Sequence, residues 1–318
     1  MTATPHLIGL DWGTSSLRAQ LFDAQGAVLE TRSRPWGIMH VPDGDFAAAY
    51  RTLVGDWREA HPELPAIACG MVGSRGGWRE VPYAECPADV HSLAAGLLHL
   101  DSGCGDLHLV PGVMQCGALP NVLRGEETQV FGALELEPDL AAEALLVLPG
   151  THSKWVRVRE GRLTDFATYM TGELFAVLRE HSILGRPAAE AGPEASAEAF
   201  HLGLTTARDA GAEGLFGRLF TARSRVLAGE LGATHSLDYL SGLLIGEELR
   251  SQVAALAGNP CPPLVLIGDA ALCQRYRDAL ALFDIHQVRL LEQATRAGLW
   301  RLAQAAGLLP TSGGSHAR

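Results

Sequence analysis

Three groups of residues in this 318-residue chain combine types and spacings that could do chemistry. The first is Asp11-Trp12-Gly13-Thr14-Ser15-Ser16, a carboxylate, a glycine and three hydroxyls in six positions. A plain hairpin turn needs the glycine but has no use for an acid beside three hydroxyls. Backbone N–H groups and hydroxyls of such a turn can wrap a phosphate, and a nearby carboxylate can hold the hydrated Mg²⁺ that accompanies it. The second group is Gly125-Glu126-Glu127-Thr128-Gln129, two adjacent acids ahead of the apolar Val130, Phe131 and Leu134. Acids in a first helical turn complement the helix dipole, so capping is one reading and a general base the other. The third is Gly150-Thr151-His152-Ser153-Lys154, another glycine turn with hydroxyls and a cation, common when met alone. A smaller group, Gly73-Ser74-Arg75-Gly76-Gly77-Trp78 followed by Pro82-Tyr83, reads as a simple turn or as the wall of a polar, anionic sugar.

These residues need elements to hold them. Leu7-Ile8-Gly9-Leu10 is a short apolar run, and Leu17, Ala19 and Leu21 alternate with Arg18 and Gln20. The period near two predicts strand, turn, strand around Asp11. Leu145-Leu146-Val147-Leu148 and Trp155-Val156-Arg157-Val158 predict a second such unit around Gly150. Phe46, Tyr50, Leu53 and Trp57 have helical spacing, Pro65 to Val72 and Leu107 to Val113 suit buried strands, and Thr171 with Glu173 suits a helix cap. Pro263 to Ile267 predicts a buried strand running into Gly268-Asp269 and a helix, a turn that could lie against a ligand. Residues 184–198, rich in Ala, Gly and Pro, read as a mobile loop.

Composition narrows the classes. A 47% hydrophobic chain of this length favours two domains. A net charge of −11 argues against nucleic-acid binding. Six scattered cysteines without Cys-x-x-Cys read as reduced thiols in a cytoplasmic protein, and the histidines show no metal spacing. No secretory signal or membrane span is expected. A homodimer is left open.

Asp11-x-Gly13-Thr14-Ser15 resembles the first phosphate motif of the actin/Hsp70/sugar-kinase superfamily. Gly150-Thr151-His152-Ser153-Lys154 is similar to its second phosphate motif, and Gly268-Asp269-Ala270 to its adenosine motif, with an acid or alanine where a second glycine is usual. Gly125-Glu126-Glu127-Thr128-Gln129 resembles the Gly-Asp-Gln-Gln helix start that carries the catalytic base in related sugar kinases. Together with Gly70-Met71-Val72-Gly73-Ser74, Trp78 and Tyr83, these motifs resemble the 2-dehydro-3-deoxygalactonokinase family over residues 7–309. The resemblance implies an α/β fold of two actin-like (ribonuclease H-like) domains with mixed sheets flanked by helices and an interdomain active site. The acidic stretch Glu135-Leu136-Glu137-Pro138-Asp139 sets the domain boundary, giving domains at 1–138 and 139–310, and the Ser- and Gly-rich end reads as a flexible tail at 311–318. The resemblance also implies ATP- and Mg²⁺-dependent phosphorylation of 2-dehydro-3-deoxy-D-galactonate at O6; another sugar acid such as 2-dehydro-3-deoxygluconate, or a non-catalytic nucleotide switch, are the alternatives. In that reading Glu126 is the base, with Glu127 its rival and Asp165 next, and Asp11 holds Mg²⁺ through water. Gly13, Thr14, Ser15, Ser16, Gly150, Thr151, His152, Ser153, Lys154, Gly268 and Asp269 contact nucleotide. Ser74, Arg75, Trp78, Tyr83 and Arg124 contact the sugar acid.

Overall fold

A computed structural model describes residues 4–256 and 261–309 of the chain. The strand-turn-strand around Asp11 forms as β1 (Pro5–Trp12) and β2 (Leu17–Asp23), continued by β3 (Val28–Arg34). Helix α1 (Phe46–Ala60) follows, its first turn held by Asp45, whose carboxylate accepts from the Ala48 N–H at 2.9 Å. It presents Tyr50, Leu53, Val54 and Trp57 to the core. The chain then runs through β4 (Ala66–Cys69), β5 (Ala84–Glu85), α2 (Val90–Ala95), β6 (Leu98–Asp101), β7 (Asp106–Leu109), β8 (Val113–Gln115), β9 (Asn121–Leu123) and α3 (Glu126–Leu136). One mixed sheet has the order β3-β2-β1-β4-β7-β6, and β5, β8 and β9 make a small second one. In the larger sheet β1, β4 and β7 are parallel while β2, β3 and β6 run against their neighbours.

The later part repeats this plan. It comprises β10 (Glu143–Leu148), β11 (Ser153–Arg159), β12 (Arg162–Tyr169), α4 (Thr171–His181), α5 (Arg186–Ala191), α6 (Ala197–Arg208), α7 (Thr221–Leu227), α8 (Ser236–Leu256), β13 (Leu264–Ile267), α9 (Ala270–Ala281), β14 (Val288–Leu291) and α10 (Ala294–Ala305). Its sheet order, β12-β11-β10-β13-β14, matches β3-β2-β1-β4-β7 strand for strand. The fold is therefore the α/β class the sequence predicts, with the actin-like strand order appearing twice. Residues 184–198, read as a mobile loop, contain all of α5 and the start of α6.

Two compact units result among the described residues: 4–144, 156–166 and 292–309 form one, and 145–155, 167–256 and 261–291 the other. The sequence reading cut the chain once, between 138 and 139. Three segments depart from that cut, the first being residues 139–144, which stay with the first unit. Residues 156–166 group with the first unit, where Ala88 bridges Leu163. Helix α10 also belongs to the first unit and lies on α3 at backbone contact. A Cβ on Gly132 would stand 1.8 Å from the Ala294 carbonyl oxygen, and one on Gly298 would stand 1.8 Å from that of Thr128. The two glycines let the last helix lock the helix that carries Glu126 and Glu127. The expected tail at 311–318 lies outside the described residues.

All six cysteines are free. Among the described residues no helix is long and apolar enough to cross a membrane, and no group of three or more His, Cys, Asp or Glu could hold a metal ion.

Candidate active site

In the first unit the Asp11 turn is tightly braced. Gly13 N–H donates to the Ser16 carbonyl at 3.0 Å, closing the turn and leaving Thr14, Ser15 and Ser16 exposed. The segment 36–39 supports it from behind: Ile38 and Met39 N–H groups donate to the Gly13 and Thr14 carbonyls, and Trp12 Nε1 donates to the Trp36 carbonyl. Gly37 has no room for a side chain, since a Cβ there would lie 2.2 Å from the Thr14 oxygen. Asp11, at the end of β1, pairs in register with Arg18 on β2 and Cys69 on β4. Burial pushes its carboxyl above the ordinary range, with Arg18 pulling the other way.

Gly70 joins this turn to the paired acids. It stands just past β4 at φ +94°, and a Cβ would meet the Trp12 carbonyl oxygen at 2.8 Å. On another side, a Cβ built on Gly125 would meet the Gly70 Cα at 3.3 Å. A residue without a side chain thus lets the Asp11 turn and the start of α3 approach the same backbone point. The sequence reading treated Gly70 as part of a strand; its signal was a glycine at a buried strand's end.

The two glutamates differ sharply. Glu127 is 0% exposed, and its carboxylate accepts from Gly125 N–H at 2.7 Å and from Thr128 Oγ1 at 3.2 Å. Burial first, then the charge of Glu126, pushes its carboxyl up to about 7 against those hydrogen bonds. Glu126 keeps part of its surface open and accepts from Arg124 N–H at 2.9 Å. The first turn of α3 thus turns Glu127 inward, where it holds the Gly125 N–H, and leaves Glu126 part-exposed. Asp165, the fallback base, is exposed on β12, 3.7 Å from Arg157.

The sugar-contact residues are rearranged as well. Trp78 is half-buried. Its ring packs among Trp12, Phe46 and Tyr50, with centroids 5.8 to 6.2 Å apart, because that apolar surface is better buried than wetted. Ser74 is buried and donates to the Met71 carbonyl. Arg75 stays exposed. Arg124 is 8% exposed, stacks its guanidinium 4.2 Å over the Tyr83 ring and donates through Nη2 to the Val81 carbonyl. Its Nε and Nη1 have no partner, and among the described residues no carboxylate lies within ion-pairing distance.

The second unit holds a separate half-site. The turn after β10 begins at Gly150 and leaves Thr151 and His152 exposed, with His152 hydrogen-bonded to Glu173. It touches the start of α4, where Glu173 N–H donates to the Thr151 carbonyl and a Cβ on Gly172 would sit 2.3 Å from the Gly150 oxygen. Ser153 and Lys154, expected at phosphate, are buried instead: Ser153 donates to Glu248 at 2.7 Å and Lys154 Nζ to Thr168 at 2.9 Å. They open β11, whose first four residues are all buried, so side chains on both faces of the strand start are covered.

Gly268 follows β13 at φ +154°, a backbone that disfavours side chains, although a Cβ would meet nothing closer than 3.4 Å. Conformation rather than a clash selects glycine there. Asp269 caps α9 by accepting from Leu272 N–H at 3.0 Å. Beside these turns is a mostly apolar cavity of about 390 Å³ lined by Gly150, Thr171, Phe175, Asp238, Arg275 and Tyr276 among others. Gly268 and Asp269 are not in its lining, which takes the next turns of α9 instead. Asp238 and Arg275 form an ion pair of 2.7 Å at its wall. The sequence reading missed this cavity, because its residues come from α4, α8 and α9, far apart along the chain.

The model of the family described as 2-keto-3-deoxy-galactonokinase matches residues 11–302. The chain belongs to that family. It is 36% identical to a probable 2-dehydro-3-deoxygalactonokinase of Rhizobium meliloti, over 96% of this chain and 99% of that protein. It is 34% identical to 2-dehydro-3-deoxygalactonokinase of Escherichia coli, over 95% and 99%. A crystal structure of a candidate 2-dehydro-3-deoxygalactonokinase from Sinorhizobium meliloti superposes with a TM-score of 0.85 at 35% identity, covering 94% of this chain and 99% of that one. The family membership agrees with the resemblance read from the phosphate motifs and the Gly125-Glu126 helix start.

Proposed function

We propose that the protein transfers the γ-phosphoryl group of ATP to O6 of 2-dehydro-3-deoxy-D-galactonate, in galactonate breakdown in the cytoplasm. The observation that carries this reading is the meeting of the Asp11 turn and the glutamate pair at Gly70, a phosphate-type turn beside a carboxylate at a helix start. The two curated relatives carry the name of this activity over nearly their full lengths.

Phosphoryl transfer asks for positioning and charge stabilisation rather than covalent chemistry by the protein. Each of the Gly13–Ser16 and Gly150–His152 turns, taken by itself, offers exposed hydroxyls and backbone N–H groups suited to phosphate oxygens. Bound Mg²⁺ would neutralise phosphate charge. Asp11 fits a water-mediated hold on it, since Mg²⁺ keeps several waters and needs only one or two protein carboxylates, and a cation beside Asp11 would offset its burial. Glu126, the acid of the pair that keeps open surface, takes the proton of the O6 hydroxyl as the O6–phosphorus bond forms and ADP departs. Glu127 holds the Gly125 N–H and so fixes the bend from which Glu126 projects. The 390 Å³ cavity beside Gly150 takes the nucleoside.

A coupled ADP-release assay with ATP, Mg²⁺ and each of the two epimeric 2-dehydro-3-deoxy sugar acids tests this. ADP release should depend on sugar acid, with kcat/KM for the galactonate epimer at least about tenfold above the gluconate epimer, a preference worth one or two hydrogen bonds. Turnover independent of either acid would overturn the proposal.

A further inference from the structure

Glu248 is the most deeply buried charge-bearing group that the proposed chemistry leaves without a role. It lies in the middle of α8, 1% exposed, and among the described residues no Lys, Arg or His pairs with it. Burying a carboxylate costs several kcal/mol unless its oxygens are fully hydrogen-bonded. Here they are. Oε1 accepts from Ser153 Oγ at 2.7 Å and from Trp155 Nε1 at 2.7 Å. Oε2 accepts from Tyr276 Oη at 2.7 Å and from Thr171 Oγ1.

The four donors come from the segments that build the nucleotide half-site. Ser153 and Trp155 open β11 directly after the Gly150 turn, Thr171 begins α4, and Tyr276 sits on α9 beyond Gly268. Thr171 and Tyr276 both line the 390 Å³ cavity. An apolar residue on α8 would fill the same space without the desolvation penalty, but it would leave three hydroxyls and an indole N–H unpaired.

A hydroxyl carries one hydrogen and two lone pairs. Once Thr171 and Tyr276 give their hydrogens to a carboxylate that accepts from all four partners, they can offer the cavity only lone pairs. We propose that Glu248 is a positioning residue of the nucleotide half-site: it holds Thr171 and Tyr276 as acceptors, so the cavity recognises the nucleoside through its hydrogen-bond donors. The donors available on ATP are the adenine 6-amine and the ribose hydroxyls. This inference rests on the kinase reading for the identity of the ligand.

The test is calorimetric binding of ATP, ITP and 2′-deoxy-ATP to wild type, Glu248→Gln and Tyr276→Phe, without sugar acid. ITP lacks the 6-amine and 2′-deoxy-ATP lacks one ribose donor, so the pair tells the two sources apart. Wild type should bind at least one analogue about three- to tenfold more weakly than ATP, the effect of one hydrogen bond. In Glu248→Gln the side-chain amide donates, so one hydroxyl must turn its own hydrogen elsewhere, and the ATP-to-analogue ratio should fall toward one. Tyr276→Phe deletes one acceptor, with its own hydrogen bond to Glu248 Oε2, while the other three donors stay in place, and should shrink the same ratio; it carries the test if Glu248→Gln does not fold. A merely structural Glu248 would weaken all three nucleotides equally. Equal binding of all three by wild type, or an unchanged ratio in a folded variant, would overturn the inference. Tight ATP binding with no phosphorylation of either sugar acid would instead sink the kinase reading and leave this one standing.

Discussion

Substituting Glu127 by Gln separates the two neighbouring glutamates by stability and by rate in one experiment. The Glu127 carboxyl is raised from an ordinary 4.5 to about 7 by burial and by Glu126. In the unfolded chain it ionises near the ordinary value, whereas in the folded chain it keeps its proton until about 7. Between those limits the folded state binds more protons, so stability falls as pH rises from about 4.5 to 7 and stays low above. At about 1.4 kcal/mol per pH unit, the loss approaches about 3 kcal/mol. Glutamine cannot ionise and can still accept from Gly125 N–H, at a loss of about 1 kcal/mol for the weaker bond. Glu127→Gln should therefore be equal to or less stable than wild type at pH 4.5, and more stable by about 1–2 kcal/mol at pH 8, read from urea midpoints at the two pH values. A difference that does not change with pH would refute the buried, strained carboxylate. In the same preparations, Glu127→Gln should keep kcat within about tenfold of wild type at pH 8, because it only supports the turn. Glu126→Gln should lose about 10²–10⁴ in kcat with little change in either KM, the usual worth of a general base. A folded, inactive Glu127→Gln beside an active Glu126→Gln would move the base by one residue.

Two further outcomes test the geometry of the first unit. Asp11→Asn should lower kcat by at least about 10², and raise the Mg²⁺ concentration needed for half-maximal rate, while circular dichroism stays native; near-native turnover at low Mg²⁺ would remove Asp11 from the metal's surroundings. Gly70→Ala forces a side chain to 2.8 Å from the Trp12 oxygen at φ +94°, so it should lower the melting midpoint by several degrees and kcat by more than tenfold; an unchanged enzyme would mean the two turns do not need that close approach.

Much of this protein was legible because its signals are local. The alternation of Leu17, Ala19 and Leu21 and the acid, glycine and hydroxyls of 11–16 lie within one hairpin, and both the hairpin and its exposed Thr14–Ser16 are present. The repeat of that unit at Gly150 was visible for the same reason, and it returns as the same strand order in the second sheet. Which of Glu126 and Glu127 turns inward is not local: it depends on where α3 is pressed, and α10, arriving from about 160 residues later in the chain, decides that through Gly132 and Gly298. Trp78 shows the same limit. Its neighbours in sequence are polar and glycine-rich, yet it packs, half-buried, against Trp12, Phe46 and Tyr50 at the edge of the core. Ser153 looked like a phosphate ligand by motif, and strand alternation turned it toward Glu248. Residue types and short spacings set the chemistry this chain can attempt. Burial and direction, which depend on partners far along the chain, were decided only when the helices closed on the sheets.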